Sequence, residues 1–207
     1  MMIAIIDYKA GNSTSVENAC KKMNISSRLV QTPDELAQAS GIILPGVGSA
    51  RATMDSLREL GITDSLSELV LNKRVPFLGI CVGLQVLFEH SEEDDTDCLG
   101  WCTGRVRQFD RSKVRVPQIG WNRVDWRQSN AVNSGSADGN YFYFVNSYYV
   151  VPEDESIIMA VTDYGGEFVS MVASGNIYAS QFHIEKSGTA GLKLLKNFAD
   201  LEENAKC

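Results

Sequence analysis

Val75-Pro-Phe-Leu-Gly-Ile-Cys-Val-Gly-Leu-Gln-Val-Leu-Phe-Glu-His90 is the stretch on which the reading of this chain turns. Val75 to Ile80 is an apolar run of the kind shown by a strand buried on both faces. From Val82 to His90 the character becomes helical. Between them stands Gly79-Ile-Cys81-Val-Gly83, which has the form G-x-nucleophile-x-G. This pattern predicts a nucleophile elbow, a sharp strand-to-helix turn, with cysteine as the reacting residue. The glycines suit a turn where backbones pass closely, and a helix N-terminus favours a thiolate. Alone, the segment also fits a buried cysteine in a glycine-containing turn, so the residues available to serve the thiol decide between the two.

Outward from this segment, the first half alternates strands and helices. Met2 to Ile6, Ser27 to Gln31 and Gly41 to Leu44 read as strands. Thr14-Ser-Val-Glu17 has the form of a capping box opening a helix to about Met23. Ala50 to Leu60 and Asp64 to Asn72 read as further helices. Such alternation implies βαβ units and a parallel sheet. The second half is mostly strands: Gly104 to Phe109, Gly120 to Trp126, Tyr141 to Val151, Ile157 to Thr162, Phe168 to Ala173 and Asn176 to Phe182. Asn130 to Asn140 reads as an exposed loop and Ser187 to Glu203 as a last amphipathic helix. The expected architecture is one α/β domain over residues 1–207. It has a central, mostly parallel sheet, helices on both faces and an antiparallel extension.

Bulk properties exclude several function classes. With 19 Lys and Arg against 26 Asp and Glu, the net charge of −7 argues against nucleic-acid or anionic-membrane surfaces, which need clustered cations. No apolar run approaches the roughly 20 residues of a membrane span. The start, MMIAIIDYKAGN, lacks a basic leader region and reads as a first strand, so a cytoplasmic location is expected. Cys20, Cys81, Cys98, Cys102 and Cys207 are an odd set, unlike a disulfide framework. Cys98 and Cys102 have only His90 and His183 to complete a metal site, so neither a metal nor a cofactor is expected.

A thiolate nucleophile needs a base. His90 ends the helix that Cys81 opens and, at about 1.5 Å per residue, lies more than about 10 Å away; a surface role at the helix C-terminus is expected for it. His183 follows the strand ending at Phe182, and in an extended segment residues i and i+2 point the same way. Glu185 could therefore face His183 and orient its imidazole. Backbone N–H groups of Val82, after the nucleophile, and of Val47, in Pro45-Gly-Val-Gly48, are candidate oxyanion donors. A dinucleotide loop does not fit there, because Arg51 stands where the third glycine belongs.

Together PGVG, GICVGLQ and QFHIEKS, in this order, resemble the class I (triad-type) glutamine amidotransferases. DYKAGN at 7–12, PQIGWN at 117–122 and YFVNSYY at 143–149 are similar to markers of one branch, the glutaminase subunit of imidazole glycerol phosphate synthase. The resemblance covers essentially the whole chain. It implies the corresponding fold and a Cys81–His183–Glu185 triad that hydrolyses L-glutamine through a glutamyl thioester. It also implies a glutamine pocket lined by Gly48, Gln85 and Glu93, with backbone help around Ser147 and Tyr148. Glu93 otherwise belongs to a charge run, Glu92 to Asp95, that would be a solvated face. A (β/α)8 synthase subunit is the implied partner in a heterodimer, using the ammonia in histidine biosynthesis, with Asn12, Trp121, Tyr143 and Lys186 near the interface. The chain departs from the family at Ile184, where proline is usual, and at Asn146, where histidine is frequent. Ile184 is expected to loosen its turn without removing a catalytic group. Paralogues that amidate surface-polysaccharide sugars, a silent binding subunit and an elbow-based cysteine hydrolase are the alternatives.

Overall fold

The computed structural model describes residues 2–9 and 12–201. In the first half, β1 (Ile3–Ile6), α1 (Ser13–Lys22), β2 (Ser27–Val30), α2 (Pro33–Leu36), β3 (Gly41–Gly46), α3 (Ala50–Glu59), α4 (Thr63–Ser67), β4 (Phe77–Cys81) and α5 (Val82–Gln85) follow in order. The second half holds β5 (His90–Ser91), β6 (Thr96–Asp97), β7 (Gly104–Gln108), β8 (Gln118–Arg123), β9 (Asp125–Trp126), β10 (Tyr141–Asn146), β11 (Tyr148–Pro152), β12 (Ile158–Asp163), β13 (Glu167–Ser174) and β14 (Ile177–Ser180). A 3-10 turn at Ile184–Lys186 and α6 (Gly188–Ala199) close it. The expected end of that last helix, at 202–203, lies outside the described residues, as do Ala10, Gly11 and Cys207 of the sequence reading. Among the described residues no helix is long and apolar enough to cross a membrane.

Strands β2-β1-β3-β4-β14 pair in that order and all run parallel. Every residue of β1, β3 and β4 is buried, as their unbroken apolar sequences require of strands covered on both faces. Beyond β14 the sheet becomes largely antiparallel through β13, β11 and β7. The mostly parallel sheet with flanking helices and an antiparallel extension is thus the architecture the sequence implied. Truncating Phe77, fully buried in β4, is expected to cost about 3–5 kcal/mol.

Local details differ from the sequence reading, each for a physical reason. The helix expected over Val82 to His90 stops at Gln85. Val86, Leu87 and Phe88 are completely buried, as is all of α5 before them, so what ends the helix is where their backbone groups bond. The chain instead turns, and carbonyls of Val86, Leu87 and Phe88 accept N–H donors from Leu99 to Cys102. His90 therefore lies in β5, paired with Asp97 (3.1 Å) and Asp95 (3.2 Å), and caps no helix. The capping box at Thr14 does not form: α1 starts two residues earlier, with Asn12 rather than Thr14 as N-cap. Tyr141 to Val151, expected as one strand, breaks at Ser147 into β10 and β11. Among the described residues the former pairs only with β8, and the latter joins the main sheet. Gly120 to Trp126 likewise divides around the buried Val124.

Candidate active site

Cys81 ends β4 and opens α5 with φ 58° and ψ −107°, a backbone state that costs an L-residue about 1–3 kcal/mol and persists only where its surroundings over-determine it. Here the glycines do so. A Cβ on Gly83 would sit 2.1 Å from the Leu44 carbonyl oxygen, and one on Gly79 would sit 2.4 Å from that of Gly83. Only bare backbone lets the elbow nest against β3. The Cys81 side chain is thereby aimed at β10, with Sγ 3.7 Å from the Val145 carbonyl oxygen and 3.6 Å from Gln181 Nε2.

His183 and Glu185 meet, though not through the strand parity first assumed. His183 is extended (φ −80°, ψ 99°), and the 3-10 turn that follows swings Glu185 back toward it. Nδ1 then lies 2.9 Å from Glu185 Oε1, with both side chains almost wholly buried. A carboxylate only accepts, so Nδ1 carries the proton and Nε2 is left for the thiol. Burial alone would lower the imidazole pKa. Hydrogen bonds to Cys81 and to Glu185, with the charge of both, outweigh it and raise the value to about 9. The imidazolium is favoured at neutral pH, the state that can donate a proton.

The turn carrying this pair is gripped from three sides. His183 N–H donates to the Tyr143 carbonyl (2.9 Å), Ser187 Oγ donates to the His183 carbonyl (2.6 Å), and Tyr143 N–H donates to Ser187 Oγ (2.9 Å). Ile184, where looseness was expected, is completely buried. Its carbonyl accepts from Ser187 N–H. Phe182 packs on Phe142 and Phe144, at 4.3 and 5.7 Å between ring centroids. These contacts hold the His183–Glu185 geometry without a proline.

Cys81 and His183 open on a cavity of about 240 Å³, suited to a small metabolite. Its walls include Val47, Gly48, Val82, Gln85, Glu93, Ser147 and Tyr148, so every expected oxyanion and pocket residue is brought to one place. Glu185 stands behind His183, away from the cavity. Glu93 is drawn out of its charge run. Burial raises its pKa, although the carboxylate accepts the Ala50 N–H at the start of α3 (2.9 Å). Gln85 Nε2 donates to the Tyr148 carbonyl (3.2 Å) and to Gln181 Oε1 (3.1 Å). Tyr8 Oη donates to the Pro45 carbonyl (2.9 Å) and lies against Val47 N–H; burial pushes its own pKa up to about 12.

Gln181, Val145 and Pro117 also stand at this site without having been assigned to it from sequence, as does Asn146, which was noted only as a departure from the family. Gln181 was within reach of the sequence reading, since it shares strand parity with His183. Asn146 is buried where the strand breaks, its amide donating to the Tyr148 carbonyl (3.0 Å). Of the expected interface residues, Trp121 and Tyr143 face each other across β8 and β10 with ring centroids 6.0 Å apart. Lys186 is exposed, and the Asn12 side chain reaches Glu185. Ile119, Trp121, Tyr141 and Val145 form an exposed apolar set on this ribbon, the kind of patch that marks a docking surface. Among the described residues no group of three or more His, Cys, Asp or Glu side chains could hold a metal ion.

The family model described as "Glutamine amidotransferase class-I" matches residues 4–201. The chain is 44% identical over 204 residues to imidazole glycerol phosphate synthase subunit HisH of Leptospira borgpetersenii, covering 97% of this chain and 100% of that one. It is 46% identical over 198 residues to the same subunit of Dehalococcoides mccartyi (strain ATCC BAA-2266 / KCTC 15142 / 195), covering 95% and 96%. In fold it is similar to a solved glutamine amidotransferase (TM-score 0.77, 19% identity, 97% and 98% covered). PurLQS from Thermotoga maritima is equally similar in fold (TM-score 0.77, 17% identity, 96% and 97% covered).

Proposed function

The chain belongs to the class-I glutamine amidotransferase family, and from that premise we propose that it is the glutaminase subunit of an imidazole glycerol phosphate synthase, with Cys81, His183 and Glu185 as its triad. The observation that carries the reading is the convergence on one cavity of Cys81, His183 backed by the buried Glu185, and the seven expected oxyanion and pocket residues. The Cys81 thiolate attacks the side-chain carbonyl carbon of L-glutamine, and the oxyanion is met by backbone N–H groups of Val82 and Val47. For Val47 this means exchanging the Tyr8 hydroxyl for substrate. The C–N bond breaks as His183 protonates the departing ammonia, leaving a glutamyl thioester. Water then attacks the thioester, His183 takes its proton, and glutamate leaves as the thiolate returns. Glu185 holds the tautomer and stabilises the imidazolium. Glu93 and Gln85 bind the amino-acid end of the substrate, beside Gly48, Ser147 and Tyr148.

The ammonia passes to a (β/α)8 synthase subunit that closes an imidazole ring in histidine biosynthesis. The relatives' names as subunits support such a partner, and the apolar face of β8 and β10 at the rim of the site offers it a seat. Asn12, Trp121, Tyr143 and Lys186 are proposed to lie at or behind this contact. Free thiols at Cys20, Cys81, Cys98 and Cys102 suit a reducing, cytoplasmic setting.

The test is glutamate release from glutamine, with and without the synthase subunit and its ligand, for wild type and Cys81→Ala. Partner-stimulated release that disappears in Cys81→Ala is expected. Release that persists without Cys81 would refute the triad. Stimulation only by a sugar-amidating synthase would move the chain to that paralogous role.

A further inference from the structure

We propose that Asn12 is a positioning residue of the Cys81–His183–Glu185 relay, its side-chain amide fixing which carboxylate oxygen of Glu185 meets His183. The inference rests on the triad reading above and adds a member to it.

Asn12 is the N-cap of α1: its carbonyl accepts Val16 N–H at 3.2 Å. Asparagine favours that position because its side-chain oxygen can accept a free N–H of the first turn, which contributes about 1 kcal/mol. In this helix no such side-chain bond is made. The amide is turned the other way, and Nδ2 donates to Glu185 Oε1, 173 residues distant in sequence. The orientation follows from chemistry, since a carboxylate can face only the NH2 side of an amide.

The Glu185 side chain is almost fully buried. Oε1 takes both the His183 Nδ1 proton and the Asn12 amide, while Oε2 has no hydrogen-bond partner among the described residues. One oxygen thus carries both bonds that orient the group. Without the amide, the His183 bond is the only hydrogen bond among the described residues that opposes a rotation exchanging the two oxygens. Asn12 is itself anchored, because the next residue, Ser13, donates through Oγ to Asp7 Oδ1 (2.8 Å), and Gln31 Nε2 donates to Asp7 Oδ2 (2.8 Å). A second helix makes the same diversion. Ser187 is the N-cap of α6, makes no side-chain cap bond, and spends its hydroxyl on the His183 carbonyl and Tyr143 N–H.

The experiment compares Asn12→Ala and Asn12→Asp in the complex with the synthase subunit. It reads kcat and KM for glutamate release at saturating partner, partner Kd, and melting temperature. Aspartate caps a helix as well as asparagine does, so a purely structural residue would tolerate Asn12→Asp. As a positioning residue it would not, because two carboxylates would then face each other. Asn12→Ala is expected to lower kcat about tenfold with KM within about twofold, as losses behind a catalytic ligand do. Asn12→Asp is expected to lower kcat further while remaining folded at the assay temperature. Unchanged kcat in either variant, or a loss confined to partner Kd, overturns the proposal. Glu185→Gln and Cys81→Ala run alongside: if they retain activity the triad reading fails, and if only they lose it the failure is Asn12's alone.

Discussion

The elbow at Gly79–Gly83 and the turn at His183–Ser187 each present one candidate reacting side chain to the same cavity, yet they are held by different means. The elbow is held by what is missing from it. Its glycines admit carbonyl oxygens of β3 and α5 at distances no Cβ could share, and its strained cysteine follows from that nesting. The turn is held by additions from elsewhere: Tyr143 from β10, Ser187 from α6 and Asn12 from α1. Steric exclusion is all-or-none, whereas hydrogen bonds can be removed one at a time. The nucleophile should therefore respond to mutation abruptly and the base by degrees.

The largest effect is expected at the charge behind the base. Glu185→Gln keeps the shape but can present an amide N–H to Nδ1 and reverse the tautomer. A fall in kcat of roughly 10³–10⁴ is expected by analogy with the serine-protease aspartate. A fall of less than tenfold in steady-state kinetics would show that the remaining contacts of the turn orient His183 unaided.

Gly83→Ala tests the other region. Its Cβ would meet the Leu44 carbonyl, so a loss of about 3 kcal/mol in denaturant unfolding and of most activity is expected together. Wild-type stability in this variant would mean that the elbow can open without cost, and the contrast with the turn would collapse. Ser187→Ala should produce the smallest change. It strips one partner each from the His183 carbonyl and the Tyr143 N–H, for about 1–3 kcal/mol, with kcat lowered by less than tenfold. If kcat instead falls as far as in Glu185→Gln, the turn is as brittle as the elbow.

Legibility in the sequence follows the same division. The β4–α5 junction could be read because all its determinants lie within Phe77–Gln85, and the parallel strands because burial on both faces leaves unbroken apolar runs. His183 and Glu185 were paired correctly through a mistaken geometry, since a 3-10 turn rather than an extended strand brings them together. The break at Ser147 was invisible because β10 and β11 are both strand-like; what separates them is which sheet each one joins. The length of α5 was misjudged because Val86 to Phe88 satisfy a helical pattern and a buried turn equally well. Asn12 resembled an interface residue, and nothing near it in sequence points to Glu185.

The sequence by itself determined the alternation that builds the sheet, the family resemblance, the cysteine elbow and the candidate reacting and pocket residues that the fold gathers at one cavity. These depend on periodicity, on glycine sterics and on side-chain chemistry, all of which are local. Only the tertiary structure decided that Gln181 touches the thiol and that the carboxylate of Glu93 lies on the first turn of α3. It also decided that Asn12 and Ser187, at the N-termini of two helices, turn their side chains toward Glu185 and the His183 carbonyl rather than cap. Hydrogen bonds between residues tens to hundreds of positions apart leave no periodic trace, because each depends on where the fold places its two ends.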